Sequence, residues 1–448
     1  MLSYYLWLAQ RSLRRSWILS GLMVLAIGLG IGASMTMITV IHVMDGDPLP
    51  GRSGTLFYPT LDPRPVDDGG RDNENSGTLG DRDAAVDNFT YVDAMALLQA
   101  KRASRQAVMA GGRALVQSAD ERSTVRPSYE AIHYTSADFF SMFGVPLNRG
   151  RAWGQSEDQQ RARVAVISPE LQQRLFGRRS AIGQSIRIDG SLFRVIGVTA
   201  HWAPQPTFYQ DTHAGQPYGE PDQLFIPLLS AVDLDLHVNG TACWSKETLI
   251  GKARRMSGSC SWAQFWVQLD NASEVAAYRQ FLQGYAQRQH AAGRFERPPA
   301  SELYPMRDWL DRAGWVPSDL RLQLLLALSF LGVCLLNILA LLLAKFLRRS
   351  GEISVRRALG ARRLDIFVQL GTESLLIGVL GGLLGLLIAQ LGLWSVRSRP
   401  DAYAALAHMD LNMLLLTLLL AMAASLLAGL LPAWRACRVA PALQLKSA

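Results

Sequence analysis

The sequence predicts a membrane protein of four transmembrane α-helices, with a large α+β extracytoplasmic domain inserted between helices 1 and 2. Three observations carry that prediction. Of 448 residues 49% are hydrophobic, and the mean hydropathy is +0.10, too apolar for an ordinary soluble chain. Four windows hold no Lys, Arg, Asp or Glu: Trp17 to Met44, Leu322 to Ala344, Ser374 to Val396 and Leu411 to Trp434. Each exceeds the ~20 helical residues that cross a ~30 Å hydrocarbon core. Finally, about 275 residues separate the first two windows and alternate between strand-like and helix-like patterns.

Residues 1–16 read as an amphipathic helix on the cytoplasmic face. Tyr4, Tyr5, Leu8 and Leu13 recur near helical spacing, and Arg11, Arg14 and Arg15 gather at one end. The first span, 17–44, is about twice as long as the ~7–15 apolar residues of a cleaved signal sequence, so it is expected to stay as an anchor. It stops at the turn-forming "DGDPLPG". Residues 45–319 form the extracytoplasmic domain, long enough for two lobes. Within it, residues 62–83 are polar and Gly-rich, cannot support a core, and read as a flexible insertion.

Local signals mark several elements of this domain. "VAVIS" is a strand leading into a helix capped by Ser168, with Pro169 at its first position and Gly177 at its end. Asp189-Gly190 joins two β-rich runs as a hairpin. Asn271 and Glu274 are spaced as a capping box after the strand-like "FWVQLD". The second span and its stalk cover 320–347. A basic segment follows at 348–370, then span three (374–396), a short outer loop (397–410), span four (411–434) and a tail (435–448).

Charge sets the orientation, because Lys and Arg near spans stay on the cytoplasmic side. The N-terminus carries Arg11, Arg14 and Arg15. The second-to-third connector carries Lys345, Arg348, Arg349, Arg356, Arg357, Arg362 and Arg363 against Glu352 and Asp365; the tail carries Arg435, Arg438 and Lys446. The whole chain nets only +8, so the remainder is acidic on balance. The basicity is therefore a topology signal, and no nucleic-acid partner is expected. Both termini and the connector face the cytoplasm; 45–319 and 397–410 lie outside.

Single residues follow from that map. Cys334 falls within a span and Cys437 in the cytoplasmic tail, which leaves Cys243 and Cys260 as the disulfide candidate on the oxidising side. His133, His201, His213, His237 and His290 lack metal-ligand spacing and read as solvated loop residues, so no metal site is expected. Asn337, in the middle of span two, needs a polar partner from another helix. Glu373 opens span three and is expected to pair with nearby arginines; a proton relay would want carboxylates deeper in the bilayer. The glycines of "GLGIGAS" (Gly28 to Ser34) favour close packing within span one.

The order of residues narrows the class. "GEISVRRALGARRLDI" followed by "ESLLIGVLGGLLG" resembles the cytoplasmic connector and third span of the MacB/FtsX permease family of ABC transporters. "TSADFFSMFGVPLNRGRAW", "VAVISPELQQRLFG" and "AIGQSIRIDGSLFRVIGV", in that order, are similar to the MacB-type periplasmic core domain, and "GLLPAWRACRVAPALQL" resembles the family's close. The resemblance implies a multi-pass permease of the bacterial inner membrane, paired with a second copy or a related permease and with two copies of an ABC ATPase. It places Glu352, Arg356, Arg357, Leu359, Gly360 and Arg362 in the coupling helix that rests on the ATPase. Arginines would supply charge-assisted bonds there and aliphatics buried area.

The sequence contains no G-x-x-x-x-G-K-[ST] phosphate loop, and the fused ATPase of the macrolide exporter is not seen ahead of span one. ATP and Mg are thus expected on the partner, with no cofactor on this chain and no enzymatic activity of its own. The implied function is mechanotransmission that drives export of a periplasmic peptide, antibiotic or siderophore, through a membrane-fusion adaptor and an outer-membrane channel. The alternatives are a lipoprotein-releasing permease and an FtsX-like regulator of a cell-wall hydrolase without transport. The large external region weighs against the regulator, and its central blocks against the lipoprotein permease.

Overall fold

The structure, a computed structural model, describes residues 2–44, 46–66, 87–120, 122, 124–210, 218–244, 250–314, 318–348, 355, 359–398 and 411–438. The chain divides into two compact units, a helical one (1–45 with 316–448) and a mixed one (46–315).

The helical unit contains α1 (Leu2–Arg15), α2 (Trp17–Met44), α3 (Ser318–Arg348), α4 (Arg363–Arg397) and α5 (Leu411–Arg438). Helices α2 to α5 are each long and apolar enough to cross a membrane. Only Ser16 separates α1 from α2. Helix α4 starts at Arg363, well before the charge-free window. Arg362 takes the N-cap position with extended backbone, its N–H bonds Asp365 Oδ2 at 3.1 Å, and a first-turn carboxylate suits the helix dipole.

Glycines let these helices approach closely. A Cβ added at Gly28 or Gly32 of α2 would collide with Leu384 or Ile388 of α4; one added at Gly378 or Gly429 would collide with Ser425 or Ser374 across the α4–α5 interface. In lipid such van der Waals contact must replace the hydrophobic effect as the packing force. Met23, Ile27, Ile31 and Met35 form one buried stripe of α2, set among Ile338, Leu342 and Phe346 of α3 and Ile377 of α4. Their four-residue spacing is that of a helix face. Ser34 Oγ donates to the Ala327 carbonyl of α3 at 3.1 Å.

The mixed unit is built on β1 (Leu56–Leu61), β2 (Phe89–Thr90), β3 (Arg105–Ser118), β4 (Ser128–Thr135), β5 (Leu147–Gly150), β6 (Val164–Ile167), β7 (Ser185–Ile188), β8 (Ser191–Thr199), β9 (Leu224–Pro227), β10 (Ala242–Cys243), β11 (Cys260–Gln268) and β12 (Ser301–Pro305). The main sheet runs β12-β1-β11-β3-β4-β9-β6-β8-β5, antiparallel except for β4–β9 and β6–β8. Side chains alternate across it. Val108, Ala110, Ile132, Ala165 and Phe265 join one core, while Ala107, Met109, Val166, Phe225 and Trp266 join the other. The sheet thus carries a hydrophobic core on each face.

The local signals are realised. Ser168 Oγ accepts from Leu171 N at 3.0 Å, and Gly177 ends that helix with φ +59°. Asp189 and Gly190 take φ of +43° and +83° between β7 and β8. Asn271 Oδ1 accepts from Glu274 N at 3.0 Å, though the Glu274 carboxylate reaches back to Asp270 N.

Two features differ from expectation. Asp62 to Val66, the start of the proposed insertion, are held in place: Arg64 and Arg297 contact Asp62, and Arg297 Nε bonds the Pro65 carbonyl at 2.8 Å. Residues 67–83 lie outside the described residues. His133 is no solvated loop residue. It lies on β4, fully buried against Phe139, Tyr209 and Phe225, with Nδ1 3.1 Å from Asp222 Oδ2. Period-two alternation directs it into the core, and no spacing argument would reveal that.

Candidate functional site

The segment singled out by its arginines joins α3 to α4. Of the residues assigned to coupling, Glu352, Arg356 and Arg357 lie outside the described residues. Leu359 and Gly360 form a turn, with Gly360 at φ +100°, a conformation that costs a residue bearing a Cβ. Leu359 is 83% exposed and Leu364 68%, and Arg362 between them is exposed too. Ile366 and Leu370 are buried in the helical core. Residues 359–370 therefore offer an apolar and basic surface backed by buried core residues.

Helices α1 to α4 share a buried polar ring. Lys345, near the end of α3, places Nζ 2.5 Å from Oε1 of Glu373 on α4, and the two side chains are 3% and 1% exposed. Ser12 of α1 donates to the same Oε1 at 2.5 Å. Lys345 Nζ also donates to Ser20 Oγ of α2 at 3.1 Å. Ser16 closes the circuit, its hydroxyl 3.2 Å from the Ser12 carbonyl and 3.4 Å from Ser20 Oγ. Burying a pair of charges is costly, and removing either partner strands the other at about 3–5 kcal/mol.

Glu373 thus departs from expectation in its place on the helix. Lys345 is one of its partners, and in place of opening the helix it lies ten residues inside α4. The flexible ammonium on a four-carbon stem reaches between helices from a buried Cα. Sequence reasoning treated Lys345 only as a topology charge and passed over the serines. The available signal was their spacing: Ser12, Ser16 and Ser20 recur every fourth residue across the α1–α2 break.

The Asn337 side chain is exposed on α3, the least buried of the four spans, among exposed Val333 and Leu336. Cys243 and Cys260 are joined by a disulfide at facing positions of β10 and β11. Among the described residues no group of three or more His, Cys, Asp or Glu could hold a metal.

Four spanning helices, interrupted after the first by a large mixed-sheet domain, define a multi-pass membrane protein of permease type. Residues 20–284 match the family described as MacB-like periplasmic core domain, and residues 324–441 match FtsX-like permease C-terminal. The chain belongs to this family of MacB/FtsX-like ABC transporter permeases.

Among relatives, it is 26% identical to the macrolide export ATP-binding/permease protein MacB of Bdellovibrio bacteriovorus, over 58% of this chain and 34% of that one. It is 25% identical to the pyoverdine export ATP-binding/permease protein PvdT of Pseudomonas syringae pv. syringae, over 56% and 33%. The uncharacterized ABC transporter permease YvrN of Bacillus subtilis is 22% identical over 70% of this chain and 69% of its own. The chain spans about a third of the length of the MacB and PvdT relatives it matches. The periplasmic region of MacB from Actinobacillus actinomycetemcomitans aligns with 59% of this chain and 96% of its own, at 13% identity and a TM-score of 0.36.

Proposed function

We propose that this chain is the permease subunit of an export system in the bacterial inner membrane, with both termini and the 348–370 segment in the cytoplasm. ATP and Mg bind to two copies of a separate ATPase, and a second permease, identical or related, completes the assembly. ATP-driven closure of the ATPases moves the connector; α2 and α3 transmit that movement as levers. The mixed domain changes shape and pushes a peptide, antibiotic or siderophore onward through an adaptor and an outer-membrane channel.

The observation that carries this reading is the connector surface itself. Leu359, Arg362 and Leu364 are presented to solvent, while Ile366 and Leu370 anchor the same segment in the bundle. An acidic groove would meet the guanidinium through charge-assisted bonds and bury the leucines. The macrolide and pyoverdine named for two relatives support a cargo of that size range and chemistry.

The test is reconstitution with the ATPase that co-purifies from native membranes. Arg356→Glu with Arg357→Glu should leave the chain inserted yet abolish its stimulation of ATP hydrolysis. Unchanged stimulation removes the coupling assignment.

A further inference from the structure

We infer that the ring of Ser12, Ser16, Ser20, Lys345 and Glu373 is a lock that fixes α1 against α4 and passes movement of the connector into the α1–α2 hinge; its role in transmission rests on the permease reading above. The ring touches every element it would need to join. Lys345 lies three residues before the end of α3, and Glu373 ten residues after the start of α4, so its two charges bracket the connector. Ser12 brings in α1, Ser20 the first turn of α2, and Ser16 is the single residue between those helices.

The charges give the device its stiffness. In a water-poor interior, drawing an ammonium away from a carboxylate costs free energy at every step. The closed ring therefore makes α1 follow α4. Burial favours the closed state as well: Ala9 and Ser12 of α1 are buried, while Trp7 and Gln10 stay exposed. Lys345 and Glu373 are thus positioning residues, acting through α1 and α2 rather than by touching the ATPase.

A serine hydroxyl both donates and accepts. A swapped pair, Lys345→Glu with Glu373→Lys, can therefore rebuild the ring: the new carboxylate accepts from Ser20 and the new ammonium donates to Ser12. An apolar pair, Lys345→Met with Glu373→Leu, removes both charges of the lock together, and such replacements are commonly neutral for stability.

The experiment places spin labels at Gln10→Cys on α1 and Leu375→Cys on α4, in full-length chain carrying Cys334→Ala and Cys437→Ala, reconstituted in nanodiscs. The inter-label distance should be narrowly distributed in the parent and in the swap, and broad in the apolar pair although that variant inserts and melts like the parent. ATPase stimulation should fall about tenfold or more in the apolar pair and recover in the swap. A narrow distribution in the apolar pair overturns the lock. A broad one with stimulation intact overturns its role in transmission. If the parent stimulates no ATPase, the permease reading fails instead, and the distances alone still decide the lock.

Discussion

Oδ2 of Asp158 accepts a hydrogen bond from the backbone N–H of Ala137 at 2.6 Å, tying the short helix 155–159 to the entry of helix 138–143. Burial pushes this carboxyl up to about 7, with the charges of Asp138 and Glu157 adding to the effect and the Ala137 N–H opposing it. The native state thus holds this proton more tightly than the unfolded chain, whose carboxyl titrates at its ordinary value of 3.8. Between those values the folded form binds more protons, so this contribution is complete at acid pH and lost as pH rises through 7. Thermal unfolding of the mixed domain in the solubilised chain should weaken from pH 5 to pH 8, by on the order of 2–4 kcal/mol from this group. Asp158→Asn should flatten that slope; an unchanged slope would assign it elsewhere.

The disulfide between Cys243 and Cys260 closes a loop of 17 residues. A loop of that length restricts the unfolded chain enough to stabilise the fold by about 3 kcal/mol in the chain-entropy description. Replacing both cysteines by serine should lower the unfolding midpoint of the mixed domain, and peptide mapping of oxidised protein should recover the two cysteines linked. Recovery of two free thiols would refute the bridge.

What the sequence disclosed follows from the range of each interaction. The caps at Ser168 and Asn271 and the turn at Asp189-Gly190 are written within four residues, and the four spans within charge-free windows. The sheet order was hidden, because His133 of β4 pairs with Phe225 of β9 and nothing in either segment names its neighbour. The start of α4 was hidden because its first turn is charged. The polar ring was least legible of all: Ser12 and Glu373 are 361 positions apart, and Lys345 had already been absorbed into a count of basic residues. A buried ion pair and a topology charge have the same sequence signature.

Helices α4 and α5 approach closely at glycines, Gly378 and Gly429 most tightly and Gly382 against Ala421 as well. A Cβ at Gly378 or Gly429 would overlap the hydroxyl of Ser425 or Ser374, whereas Gly371 has open space around it. Gly378→Leu and Gly429→Leu should each destabilise the helical unit by about 1–3 kcal/mol or more, since close-packed interiors accommodate added methylenes poorly. Gly371→Leu is the matched control and should be tolerated. Equal accumulation and equal melting of all three variants in membranes would contradict this packing.

Asn337 presents an amide from α3 among Val333 and Leu336, all exposed in the single chain. An unsatisfied amide at mid-span is costly in hydrocarbon, and membrane helices relieve that cost by pairing polar side chains across an interface. A second permease supplies such a partner, and in a two-fold pair each Asn337 would face its own copy. Asn337→Cys, with Cys334→Ala and Cys437→Ala, should cross-link two chains in native membranes under mild oxidant, while Val333→Cys on an adjacent turn reports the breadth of the contact. Asn337→Leu should reduce the dimer fraction several-fold, since interhelical hydrogen bonds in membranes contribute about 0.6–2 kcal/mol. Cross-linking solely to a different permease would make the assembly heteromeric, and the absence of any cross-link would leave α3 facing lipid.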